Sequence, residues 1–213
     1  PLHRVVALLL DRAVADPLLA DHPLQVRERR ALGLRSAGWP EPGLDAAQPC
    51  HPNLAATTHG TSGSATAIVA SDDALLAHLT IANDATEASK PAEGAQAVAL
   101  MTRADRIQLE DVRLVSHQDT FYVRRPAPGA AARVFVRGSL IEGDVDFVFG
   151  NATLVIDDST LVSRAGRLAA GRGGYVLAPS TPAAVPLGFL VQRSRFVAEP
   201  GVAALQFARS GPG

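Results

Sequence analysis

The stretch Gly143-Asp144-Val145-Asp146-Phe147-Val148-Phe149-Gly150 decides the reading of this chain. Aspartate and apolar residues alternate with a period of two, the pattern of a β-strand. Val145, Phe147 and Phe149 are expected on one strand face, with Asp144 and Asp146 on the other. Such a strand holds a carboxylate on a rigid element with aromatic packing beneath it.

Outward from this segment the alternation recurs in short runs. They cover residues 67–70, 77–81, 97–100, 112–115, 134–136, 154–156, 161–162 and 188–191, with no helix-length apolar period between them. Several runs share a loose pattern of a small or polar residue, apolar residues, then a stop: His78-Leu79-Thr80-Ile81, Val112-Arg113-Leu114-Val115, Gly138-Ser139-Leu140-Ile141, Ser159-Thr160-Leu161-Val162 and Ser194-Arg195-Phe196-Val197. The spacings fit solenoid coils of ~20 to 25 residues carrying loop insertions. A β-sandwich uses similar strands, so periodicity alone leaves both architectures open.

Composition narrows the choice. Of 213 residues 47% are hydrophobic but only 5% aromatic, so the core must be built from small and branched aliphatics stacked regularly. A net charge of -1 argues against a nucleic-acid binder. Cys50 stands alone, so neither an internal disulfide framework nor a CxxC metal or redox site is available. His3, His22, His51, His59, His78 and His117 are scattered, and no metal or organic cofactor is expected. The apolar run from Val5 to Leu10 stops at Asp11, far short of the ~20 residues of a membrane span. No signal peptide is visible, and the opening Pro1 suggests processing or trimming. Residues 1–55 are expected to form a helical or irregular segment interrupted by Pro17 and Pro23, and residues 56–213 the β domain.

A second carboxylate lies upstream. Gln118-Asp119-Thr120-Phe121-Tyr122-Val123 follows the run ending at Val115, which puts Asp119 at a strand end about one coil before Asp146. Two carboxylates in one cleft ionise at different pH, giving one charged nucleophile and one protonated acid. That division suits hydrolysis through a covalent acyl intermediate. Taken singly, either aspartate suits a turn or cap better than a catalytic role.

Together, Gly143 to Ala152, Gln118 to Val123 and Gln96-Ala97-Val98-Ala99-Leu100 resemble the pectinesterase family, in the family's order. Leu79-Thr80-Ile81-Ala82-Asn83 and Gly188-Phe189-Leu190 extend the resemblance over roughly Thr61 to Phe196. It implies an all-β, right-handed parallel β-helix that hydrolyses methyl esters of polygalacturonate without a cofactor. It also implies a secreted, periplasmic or cell-surface bacterial protein, expected as a monomer, with a polysaccharide as partner and neither nucleic acid nor membrane span. In that reading Asp146 attacks the ester carbonyl, Asp119 protonates methanol and then activates water, and Gln96 and Gln118 donate hydrogen bonds to the oxyanion. Preorganised donors of that kind are worth about 2.7–4 kcal/mol each. Phe121, Tyr122 and Phe149 would line the sugar groove. Arg103, Arg106, Arg124, Arg125 and Arg137 could meet free carboxylates of the polymer.

The sequence departs from the family at its end. An arginine in a Leu-Gly-Arg-Pro-Trp-like segment normally holds the nucleophile; here Phe207-Ala208-Arg209-Ser210 leaves Arg209 as its counterpart, without the tryptophan. The β domain is therefore expected to be incomplete at its C-terminal side. A Gly-Xaa-Tyr turn opening the first coil is also missing. Two other outcomes stay open: an acyl thioester hydrolase of the same family, or a non-catalytic polyuronate-binding β-helix. A lyase, which would use a calcium-binding acidic cluster and a basic arginine or lysine, is disfavoured because the motifs resemble those of esterases instead.

Overall fold

The computed structural model describes residues 60–83, 96–165, 174–202 and 205–210; the expected N-terminal segment, residues 1–55, lies outside them. After one helical turn, α1 (Gly60–Gly63), the described chain is a succession of short strands.

Three parallel sheets run along the molecule. The first contains β1 (Ala67–Val69), β4 (Leu100–Thr102), β7 (Phe121–Val123), β10 (Val148–Gly150), β13 (Tyr175–Pro179) and β16 (Gln206–Ala208). The second contains β2 (Leu75–Ala77), β5 (Ile107–Glu110), β8 (Arg133–Arg137), β11 (Thr153–Asp157) and β14 (Phe189–Gln192). The third contains β3 (Thr80–Ala82), β6 (Arg113–Val115), β9 (Leu140–Gly143), β12 (Thr160–Ser163) and β15 (Arg195–Ala198). Every third strand returns to the same sheet, so the chain winds as a parallel β-helix. Successive coils take between 20 residues (Arg133 to Thr153) and 35 (Leu154 to Phe189), a wider range than the sequence spacing suggests.

Stacking explains the aliphatic composition. Leu76, Leu109, Val136, Ile156 and Val191 lie in register through the second sheet, and Ile81, Leu114, Ile141, Leu161 and Phe196 through the third. In the first sheet Leu100, Phe121, Val148 and Leu177 form the corresponding column. Like meets like at every coil, and full burial of each such side chain stabilises by about 1.5–3 kcal/mol.

One corner repeats. Between the second and third sheets each coil places one residue at positive φ: His78, Asp111, Gly138, Asp158 and Arg193. The N–H of each of the first four donates to the next coil, to Glu110, Arg137, Asp157 and Gln192 respectively. Beside them a serine ladder forms, in which the N–H groups of Val112, Ser139 and Ser159 donate to the hydroxyls of Ser139, Ser159 and Ser194. The loose motif of the sequence is thus a corner followed by a third-sheet strand. Its true alignment begins one residue earlier at Asp111, Asp158 and Arg193.

The deciding segment does not run as one strand. Asp146 sits at φ 49°, which turns the chain before β10 begins at Val148. Phe147 and Val148 are consequently both buried in the core, and only Phe149 faces outward. The expected strand 97–100 is likewise displaced, to 100–102.

Candidate active site

Three features place Asp119 and Asp146 side by side. Phe121 pairs with Val148 across β7 and β10, so two positions upstream Asp119 stands opposite Asp146. The Asp119 N–H donates to Val145 O at 3.0 Å, which carries that register back to the aspartates. Both residues adopt positive φ, 66° and 49°, and both are buried, with 8% and 7% of their surface exposed. Neighbouring strands lie ~4.8 Å apart, so the two side chains start from adjacent rungs. Asparagine and aspartate tolerate the left-handed region better than other non-glycine residues, and such strain clusters at functional sites.

The paired glutamines meet through a bulge. Ala99 and Leu100 both donate to Thr120 O, at 2.9 and 3.2 Å, so two residues of one coil oppose one of the next. The one-residue slip brings Gln96 opposite Gln118, each half-buried, immediately before the row that contains Asp119.

Arg209 closes the site from two coils beyond Asp146. Its Nε donates to Asp146 Oδ1 at 2.8 Å and its Nη2 to Oδ2, a two-pronged grip. Its own N–H donates to Leu177 O, which sets it opposite Ala178 on the outer face of the first sheet. The small Ala178 side chain leaves the guanidinium room to cross towards Asp146, passing 5.7 Å from the Tyr175 ring centre. The hydrogen bonds to Asp146 raise the Arg209 pKa above its ordinary value, with Tyr175 and Asp119 among the further contributors.

The outer face of the same sheet carries the aromatic surface. Tyr122 and Phe149 are in register and stack with ring centres 4.3 Å apart and planes inclined by 14°. Met101 and Ile68 extend this column towards the start of the helix. Phe121 does not belong to it: adjacent strand residues face opposite ways, and Phe121 is wholly buried in the interior column. The expectation that Phe121 lines the groove is corrected accordingly.

Sequence reading passed over a buried pair beside the aspartates. His117 and Asp144 precede Asp119 and Asp146 by two residues each, and Asp144 N–H donates to His117 O at 3.1 Å. The His117 Nδ1 lies 3.6 Å from Asp144 Oδ2, and Asp144 is 1% exposed. Arg164 Nη1 donates to Ser116 O at 2.8 Å and stands 3.4 and 3.3 Å from the two His117 ring nitrogens, over the ring face. The shared two-residue offset from the aspartates was the available signal. Gly174 makes this packing possible, since a Cβ there would come within 2.1 Å of Asp144 O.

Among the described residues no group of three or more His, Cys, Asp or Glu side chains could hold a metal ion. No helix among them is long and apolar enough to cross a membrane. A groove of about 510 Å³ lies on a different face, over the second sheet, with Leu75, Phe135 and Val155 on its floor.

Two aspartates in register, an arginine clamped on one of them and an aromatic strip alongside thus share one face of a parallel β-helix. The Pectinesterase family model matches residues 50–209, and the chain belongs to that family. It is 37% identical over 132 residues to a pectinesterase of Ralstonia nicotianae, covering 62% of this chain and 33% of that protein. Against pectinesterase B of Dickeya dadantii it is 39% identical over 166 residues, covering 74% of this chain and 37% of the other. A putative acyl-CoA thioester hydrolase of Escherichia coli, YbhC, is 36% identical over 127 residues, covering 57% and 29%. Among solved structures, a pectin methylesterase in complex with a hexasaccharide superposes with a TM-score of 0.70 at 30% identity, covering 79% of this chain and 51% of that one. The chain thus spans about a third of the length of the curated relatives it matches.

Proposed function

We propose that this protein hydrolyses the methyl esters of polygalacturonate to free carboxylate and methanol through an aspartyl acyl-enzyme. The observation that carries this reading is the register of Asp119 with Asp146 together with the grip of Arg209 on Asp146. Arg209 fixes the direction in which the Asp146 carboxylate faces. Asp146 then attacks the ester carbonyl carbon, and the resulting oxyanion is stabilised by the side-chain amides of Gln96 and Gln118. Collapse of the tetrahedral species expels methanol, which takes its proton from Asp119. The carboxylate so formed on Asp119 draws a proton from water, hydroxide adds to the acyl-aspartate, and breakdown regenerates Asp146 with a carboxylate on the sugar.

Tyr122 and Phe149 supply a flat apolar surface for the sugar ring. Residues 56–213 act as the esterase domain and 1–55 as a separate preceding segment, in a bacterial protein placed outside the cytoplasmic membrane.

The similarity to the putative thioester hydrolase favours one alternative, in which the same aspartates cleave an acyl thioester. Incubation with highly methylated pectin and, separately, with an acyl-CoA decides between them. Methanol and acid released in equal amounts supports the pectin reading; thiol release without methanol overturns it.

A further inference from the structure

The two aspartate segments are entered at equivalent points. Ser116 and Gly143 each stand three residues before an aspartate, Asp119 and Asp146, and the register of β6 with β9 sets them opposite one another. One residue of the next coil holds the backbone at both. The Arg164 N–H donates to Gly143 O at 2.7 Å. Its side chain crosses the rung of Asp144 and donates from Nη1 to Ser116 O at 2.8 Å. The Ser116 hydroxyl carries the tie one coil further by donating to Ala97 O, beside Gln96. Directly or through Ser116, Arg164 therefore reaches the segments that carry Asp146, Asp119 with Gln118, and Gln96.

The surroundings fix the guanidinium in this position. Nη1 stands over the His117 ring, and His117 Nδ1 lies 3.6 Å from Oδ2 of Asp144, on the rung between His117 and Arg164. A side chain at Gly143 is excluded, since its Cβ would lie 2.6 Å from His117 O. Arg164 Nε is buried and has no hydrogen-bond partner among the described residues. An unpaired buried donor costs stability, so the placement is explained by what the guanidinium holds and not by its own bonding.

We propose that Arg164 is a positioning residue for the reaction. It sets the spacing of Asp119, Asp146 and the paired glutamines by clamping the peptides that lead into them, with the His117–Asp144 pair packed beneath it. Its effect runs through the backbone at Ser116 and Gly143 and through the His117 ring. This rests on the esterase reading of the two aspartates.

A clamp of this kind governs rate more than binding. Arg164→Met, compared with the parent at equal folded content, is expected to lower kcat on methylated pectin about 30-fold with KM within about twofold. Arg164→Lys keeps a donor for Ser116 O but loses the flat stack on His117, and should recover kcat to within about fivefold of the parent. Amide hydrogen exchange reads the clamp without catalysis. In Arg164→Met the N–H groups of Asp119 and Asp144, bonded to Val145 O and His117 O, should exchange about tenfold faster or more. The Asp111 N–H, bonded to Arg137 O at the corner between the second and third sheets, should keep its rate. Unchanged kcat, a rise in KM without a fall in kcat, unchanged exchange, exchange that quickens equally at all three amides, or a lysine variant no better than the methionine one overturns the proposal. Faster exchange confined to Asp119 and Asp144, in a protein whose parent form releases no methanol, keeps the clamp and removes the esterase reading.

Discussion

Arg209 holds both oxygens of Asp146 although 63 residues separate them in sequence. The bond links the last described coil to the coil that carries the proposed nucleophile, and it fixes the direction in which that carboxylate faces. Asp146 is almost fully buried while Arg209 is half exposed, so the pair is partly screened and its role in orientation outweighs its role in stability.

Replacing Arg209 with alanine is therefore expected to lower kcat about 100-fold, with KM changed far less, because a misdirected nucleophile loses rate more than binding. Arg209→Lys should recover only a small part, since an ammonium cannot reproduce the two-pronged geometry. Steady-state kinetics on methylated pectin checks both; a lysine variant with full kcat contradicts the orienting role.

Acid sensitivity should trace in part to Asp105. Hydrogen bonds from Arg133, with a further one from Arg106, hold its carboxyl well below the usual carboxylate range. A folded pKa lower than the unfolded one stabilises the protein above the unfolded value, near 3.8, and that stabilisation is lost as the pH falls towards the folded value. Asp105→Asn should thus be less stable than the parent at pH 7, and the gap should narrow between about pH 5 and pH 2. Denaturant melts across that range provide the check.

Gly150 has no tolerated substitute. It sits at φ 124°, and a Cβ there would lie 2.0 Å from Val123 O of the neighbouring strand. Gly150→Ala is expected to cost about 3 kcal/mol, combining an unfavourable backbone conformation with displacement of β7. Thermal unfolding measures this, and the shift should exceed that of Gly129→Ala, where a Cβ meets nothing within 4 Å.

The solenoid was legible because stacking repeats a local rule: aliphatic residues in the coil interior and polar stops at its corners. Asp119 and Asp146 were legible for the same reason, as equivalent positions one coil apart. What escaped was set by backbone conformation. The left-handed turn at Asp146 broke the alternation that assigned Phe147 and Phe149 to one face, and the Ala99–Leu100 bulge moved β4 away from its apolar run. Phe121 and Tyr122 look alike in sequence, yet one is core and the other surface, because register decides which side of the sheet each occupies. The His117–Asp144 pair was hidden because neither residue forms a motif until the coils are laid over each other.

The most direct test of the account is methanol release from highly methylated pectin by the parent chain and by Asp146→Asn, compared at equal folded content. Steady release by the parent, with at least a thousandfold loss in the variant, is the predicted result, since an amide cannot serve as the nucleophile. Release by the variant within tenfold of the parent would contradict the assignment of Asp146 and with it the aspartyl acyl-enzyme.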